Sequence, residues 1–146
     1  MAIEIEHKYL VIDDSYKALS DKQVEIIQGY LSRDPEHTVR IRICGDEGSL
    51  TIKGKNNGDT RLEFEYGIPI DDARQMMRMC GDNILIKTRY YVPYAGHIWE
   101  VDEFHGRHSG LVISEIELSE SSHDYQLPPF IGKEVTGDAR FYNSSM

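Results

Sequence analysis

The chain is poor in cysteine, in basic charge and in long apolar stretches, and each shortage closes off a class of protein. Of its 146 residues, two are cysteine. Cys44 and Cys80 belong to no CxxC pair or Cys/His cluster, so neither a disulfide framework nor a zinc site is indicated. They read as two free, buried thiols in a reducing compartment. Lysine and arginine number 16 against 25 aspartates and glutamates, a net charge of −9. That argues against the basic surface on which general nucleic-acid binding depends. It leaves room for a small anionic ligand, because such binding follows the local field and not the net charge. No apolar run approaches the roughly 20 residues that span a bilayer. The start, Met1-Ala2-Ile3-Glu4, has no basic region followed by an apolar stretch. That predicts no signal peptide and a cytoplasmic protein without a membrane partner. No linker, low-complexity tract or repeat divides the chain, so residues 1–146 are expected to form one domain.

What the chain does have is one charged pattern, repeated. Glu4 and Glu6 lead into Lys8. Arg40 and Arg42 follow, then Lys53 and Lys55, Glu63 and Glu65, Lys87 and Arg89, Glu100 and Asp102, and Glu115 and Glu117. In a strand, residues two apart share a face, so each pair puts two charges on one side of its strand. Residues 3–11 alternate in this way, as does Val39-Arg40-Ile41-Arg42-Ile43. Gly45-Asp46-Glu47-Gly48 and Asn57-Gly58 read as hairpin turns. Further strands are expected near 49–55, 61–68, 84–93, 97–104 and 110–119, with a short strand and turn in 134–142. Ser20, with Gln23 three residues on, predicts a helix carrying Val24, Ile26 and Ile27. Asp71 to Cys80 predicts another, with Ala73, Met76, Met77 and Cys80 on one face. The fold class is therefore α+β with an antiparallel sheet, and a closed barrel is one way to remove its edges.

Any one of these pairs fits the wet face of an ordinary antiparallel sheet. The set is less ordinary. The charged faces hold few serines or threonines, and several strands carry charges of one sign only. Like charges repel on a surface for no gain; in a cavity they can face a ligand of opposite sign. Periodicity alone does not decide between these readings.

The motifs in order do carry a resemblance. Glu4-Ile5-Glu6-His7-Lys8 matches the ExExK signature of the CYTH family, the triphosphate tunnel metalloenzymes. Gln28-Gly29-Tyr30-Leu31, Val39 to Arg42, Leu50 to Gly54, Glu63 to Glu65, Ile86 to Arg89, Trp99 to Asp102, Ser114 to Leu118 and Gly132 to Thr136 follow in sequence. The chain resembles the short bacterial inorganic triphosphatases of that family across nearly its whole length. The resemblance implies an eight-stranded antiparallel β-barrel forming a tunnel, with helices packed on the outside and the charged faces inside. Ile41, Ile52, Phe64 and Trp99 would then face outward and be covered by helices or other surface elements.

The resemblance also implies roles. Lys8, Arg40, Arg42, Lys53, Lys87 and Arg89 would bind the triphosphate, arginine as a fork and lysine as a point charge. Glu4, Glu6, Glu115 and Glu117 would hold Mg²⁺ or Mn²⁺, hard cations that prefer oxygen. Glu63, Glu65, Glu100 and Asp102 would bind a second metal or support the tunnel. Lys8 and Tyr30 match a Lys–Tyr pair associated with hydrolysis, although Tyr30 also suits a core position. The expected reaction is hydrolysis of tripolyphosphate to pyrophosphate and phosphate, by a monomer or homodimer. An adenylate cyclase of the CYTH type, a thiamine or nucleoside triphosphatase, and a polyphosphate-binding module without turnover remain alternatives. His105 and His108 lack a third ligand nearby and are read as loop residues, and His7 as structural. Met76, Met77 and Met79 are read as helix packing.

Overall fold

A computed structural model describes residues 2–146. Nine antiparallel strands make one continuous sheet: β1 (Ile3–Val11), β2 (Lys22–Ser32), β3 (Thr38–Cys44), β4 (Glu47–Lys53), β5 (Thr60–Ile68), β6 (Ile84–Tyr94), β7 (His97–Phe104), β8 (Val112–Glu117) and β9 (Ile131–Glu134). Their spatial order is β5-β4-β3-β2-β6-β7-β8-β1-β9. The first half of β1 also pairs with β5, Ile3 opposite Leu62, while its second half pairs with β8, Lys8 opposite Glu115. Eight strands thus close into the expected barrel, and closure leaves it no free edge. The ninth strand adds to β1 at Tyr9 and Val11.

The helix expected from Ser20 is instead β2. The Ser20 amide donates to the Tyr16 carbonyl (2.9 Å), so Ser20 ends a short helix, α1 (Tyr16–Leu19), rather than starting one. β2 is hydrogen-bonded on both sides, to β3 (Tyr30 opposite Arg40) and to β6 (Val24 opposite Arg89). Two ladders and the β-branched Val24, Ile26 and Ile27 outweigh a local capping pattern. Its working period is two: Ile26, Gln28 and Tyr30 are buried, while Glu25, Ile27 and Leu31 are exposed.

The second helix, α2 (Ile70–Met79), forms where expected, with Pro69 just before it, Asp71 and Asp72 in its first turn and Arg78 in its last. Those charges oppose the helix dipole at both ends. Its buried face, Ala73 and Met77, packs with Cys80 on Ile41 of β3. The approach is close. A Cβ on Gly48 would lie 2.6 Å from Ala73 Cβ, and one on Gly29 would lie 2.8 Å from Cys80 Sγ and from Met77 Sδ. Met79, assigned to packing in the sequence reading, is instead 74% exposed.

A second outer core is aromatic. Tyr9, Tyr16, Tyr90, Trp99 and Phe130 gather with Val92, Val101 and Ile116, and Tyr125 packs against them. Trp99 meets Tyr9 and Tyr125 at ring distances of 5.7 and 5.6 Å. Ile41 and Trp99 are fully covered as expected, but Ile52 and Phe64 each remain 39% exposed. The third core lies inside the barrel. Tyr30, Leu85, Phe104 and Ile113 share their strands' inward parity and fill one end, with Leu111, Phe141 and Met146 against them. The tail reaches this end through two 3₁₀ turns, Ala139–Phe141 and Asn143–Ser145. Both cysteines are free thiols. Among the described residues, no helix is long and apolar enough to cross a membrane.

Candidate active site

The other end of the barrel is a charged cavity with about 930 Å³ of empty space, counted with its open mouth. Strand alternation builds it, because each strand sends every second residue inward. Lys8, Arg40, Arg42, Lys53, Arg61, Lys87 and Arg89 line it together with Glu4, Glu6, Glu63, Glu65, Glu100, Glu115 and Glu117. Sheet order sorts these charges into two walls. Adjacent β3, β2 and β6 carry Arg40, Arg42, Gln28, Lys87 and Arg89. Adjacent β7, β8, β1 and β5 carry most of the carboxylates, with Lys8 and Lys53 set near them.

The acidic wall places like charges directly across strands: Glu6 opposite Glu117, and Glu100 opposite Glu115. Such pairs destabilise a sheet unless a cation intervenes. One oxygen each from Glu4, Glu6 and Glu117 lies within 4.8 Å of the others. Burial, then the charges of Glu100, Glu4 and Glu63, push the Glu117 carboxyl up to about 7. Burial and the adjacent Glu115 push Glu6 well above the ordinary range. Glu115 stays well below it despite its own burial, because Lys8 and the Glu6 hydrogen bond favour its charge. Burial alone would raise Glu4, but Lys53 Nζ at 2.9 Å outweighs this and its carboxyl is lowered. Three converging hard oxygen donors, two of them, Glu6 and Glu117, favouring the protonated form beside like charges, fit a small divalent cation such as Mg²⁺ or Mn²⁺.

On the basic wall, much of the charge lacks a strong carboxylate partner. Arg42 donates through Nε and Nη2 to the single oxygen Gln28 Oε1, at 3.1 and 2.8 Å. Burial, then Arg40 and Arg89, lower its guanidinium to about 10. Arg40 reaches Thr51 Oγ1 at 3.1 Å and Glu65 only at 3.8 Å, and its Nε is buried with no partner among the described residues. Lys87, 1% exposed, is lowered to about 7 by burial; Asp102 at 2.7 Å opposes that fall, while Arg89 and Arg42 add to it. Neighbouring cations thus depress both Arg42 and Lys87, which favours an anion beside them.

Of the residues expected in the site, all line the cavity except Asp102. Asp102 points inward but is buried beneath Lys87 and Arg89, 1% exposed, and accepts from Arg89 Nε (2.8 Å), Arg89 Nη2 (3.0 Å) and Lys87 Nζ (2.7 Å). Its geometry is that of a support for two bases. Tyr30 serves in both of its expected places: it lines the cavity, and it belongs to the inner apolar cluster. Lys55 of the charged pattern lies beyond β4 and does not line the cavity. His105 bonds Thr88 Oγ1 (2.7 Å) and stands outside the carboxylate group. His7 faces away from the cavity, between Asp59 (2.8 Å) and the Tyr125 hydroxyl.

Arg61, Asn56, Tyr142 and Asn143 are among the lining residues that the charged pairs leave out. Arg61 shares the parity of Glu63 and Glu65, so the same two-residue spacing signals it; it donates to the Gly54 carbonyl at 2.7 and 2.9 Å. Asn56 comes from the β4–β5 loop, and Tyr142 and Asn143 from the tail. Loop and tail have no period, so no pattern marks them.

Comparison with known proteins agrees with this geometry. A family model described as the CYTH domain matches residues 2–142. The chain is 44% identical over 147 residues to an inorganic triphosphatase of Acetivibrio thermocellus, covering 100% of this chain and 94% of that protein. It is 33% identical to an inorganic triphosphatase of Nitrosomonas europaea, covering 98% and 95% of the two chains. The crystal structure of an inorganic triphosphatase superposes with a TM-score of 0.69 at 29% identity, over 99% of this chain and 94% of the other.

Proposed function

We propose, from the premise that this chain belongs to the CYTH domain family, that it hydrolyses inorganic triphosphate to pyrophosphate and phosphate with Mg²⁺ or Mn²⁺. The observation that carries this reading is the division of the barrel into two walls. A triphosphate with its cation is the ligand that satisfies both at once. The two relatives named as inorganic triphosphatases support the same substrate.

Arg40, Arg42, Lys87 and Arg89 take the phosphate oxygens on the basic wall, the arginines through two parallel N–H donors. Lys53 and Lys8 add charge from the opposite side. Glu4, Glu6 and Glu117 hold the cation, and Glu115, beside Lys8 and Glu6, completes the carboxylate wall. The bound cation supplies neutralisation of charge on the phosphoryl oxygens. The chain's own work is positioning and electrostatics: a water oxygen attacks the terminal phosphorus, the bond to its bridging oxygen breaks, and pyrophosphate leaves. Lys8 stands beside the developing charge, and Tyr30 near Lys8 borders the reacting space. Glu63 and Glu65 hold Lys53 and Arg40, at 3.3 and 3.8 Å. Glu100 and Asp102 do the same for Arg89.

The test is to incubate the protein with tripolyphosphate, ATP or thiamine triphosphate, each with Mg²⁺ or Mn²⁺, and to follow phosphate, pyrophosphate and cyclic AMP. Metal-dependent cleavage of tripolyphosphate, lost at least a hundredfold in Glu117→Gln, is expected (~3 kcal/mol of transition-state stabilisation). Cyclic AMP as the main product would reassign the site to a cyclase. Binding of tripolyphosphate without turnover would leave a binding module.

A further inference from the structure

The barrel does not complete its own site. Two lysines inside it, Lys8 and Lys87, are each met by an acceptor from the C-terminal tail. Lys8 Nζ donates to the Phe141 carbonyl at 3.1 Å. Lys87 Nζ donates to Asn143 Oδ1 at 2.7 Å, and the same oxygen accepts from Gln28 Nε2 at 2.9 Å. Gln28 in turn presents Oε1 to Arg42. One amide oxygen of the tail therefore links two bases of the anion wall, one directly and one through a fully buried glutamine. The tail is itself fastened at the cavity. The Tyr142 hydroxyl accepts from Asn56 Nδ2 at 2.7 Å, and the Tyr142 ring lies 5.7 Å from Lys8 Nζ.

A neutral acceptor suits this position. Lys87 already has Asp102 on one side and needs a second partner, because a buried ammonium with unsatisfied donors is costly. A second carboxylate there would repel a phosphate. An amide oxygen orients the ammonium and adds no net charge.

We infer that Asn143 is a positioning residue of this site, holding Lys87 and, through Gln28, Arg42 in the geometry that receives a phosphate group of the substrate. This rests on the triphosphatase reading above, and the experiment separates the two. Wild type, Asn143→Ala, Lys87→Met and the double variant are compared with tripolyphosphate and Mg²⁺ or Mn²⁺, each checked for an unchanged melting temperature. Asn143→Ala is expected to raise KM about tenfold, the worth of one hydrogen bond to a charged group, with kcat changed less than about threefold. In the Lys87→Met background the same substitution is expected to change kcat/KM less than about threefold, because its chief partner is gone. A stable Asn143→Ala with unaltered KM, or losses that multiply in the double variant, overturns the inference. Should Asn143→Ala not fold, Asn143→Ser, whose hydroxyl is one bond shorter, is read by the same two criteria. A wild-type protein that does not cleave tripolyphosphate refutes the triphosphatase reading itself. An active wild type with a silent Asn143→Ala refutes only the role of the tail.

Discussion

Asp102→Asn separates a carboxylate that supports the tunnel from one that binds metal. The substitution keeps the shape and removes the charge. Asp102 is 1% exposed and holds three donors from two cations, at 2.7, 2.8 and 3.0 Å. Breaking a buried pair from one side typically costs about 3–5 kcal/mol, because the partner charge stays buried without compensation. Unfolding entropy of about 2.1 cal/mol/K per residue gives about 0.3 kcal/mol/K for a chain of this length. The expected fall in melting temperature is then about 10–16 °C, read by calorimetry in the presence of a chelator. Tripolyphosphate should recover part of the loss, since it supplies negative charge to Lys87 and Arg89. Glu65→Gln is the control. Glu65 is 48% exposed and 3.8 Å from Arg40; an exposed pair contributes about 0–1 kcal/mol, a shift of about 3 °C at most. An Asp102→Asn protein that melts like wild type but needs far more metal would refute the reasoning and make Asp102 a ligand.

Gly48→Ala pushes a methyl to 2.6 Å from Ala73 Cβ, so it should destabilise by about 1–3 kcal/mol in urea unfolding while leaving KM unchanged. Tyr125→Phe strips a hydroxyl shared by His7 and Tyr9; a loss of about 1–3 kcal/mol is expected by the same assay. Glu117, raised to about 7, binds a proton more tightly in the fold than in the unfolded chain. Its contribution to stability is full below the ordinary carboxylate value and is lost as pH rises through about 7. Without metal, the melting difference between wild type and Glu117→Gln should therefore move against wild type from about pH 5 to about pH 8. Millimolar Mg²⁺ should reverse it, and a pH-independent difference would contradict the assignment.

The barrel was legible because its strands repeat one rule, polar in and apolar out, and a rule repeated eight times survives a local exception. β2 was the exception. Its Val24, Ile26 and Ile27 satisfy a helical stripe as well as a strand, and only the ladders to β3 and β6 decide the matter. The charged pairs announced the site because spacing of two survives folding unchanged. Asp102 shares that spacing and that side yet is covered by Lys87 and Arg89, since parity fixes a side and not a depth. Asn143 and Tyr142 were illegible for a related reason. Asn143 opens the second 3₁₀ turn and Tyr142 lies between the two, where position depends on how the tail docks.

One strand bears the seam of the whole barrel. β1 joins β5, β8 and β9, so the beginning of the chain must find its middle and its far end before the cylinder exists. Pairings this distant in sequence lose the most chain entropy and form slowly. The same strand carries Glu4, Glu6 and Lys8. During refolding, the charged cavity therefore has no partial form: it is complete only when β1 closes the seam. A chain caught before that step displays open strand edges and an unfinished cavity.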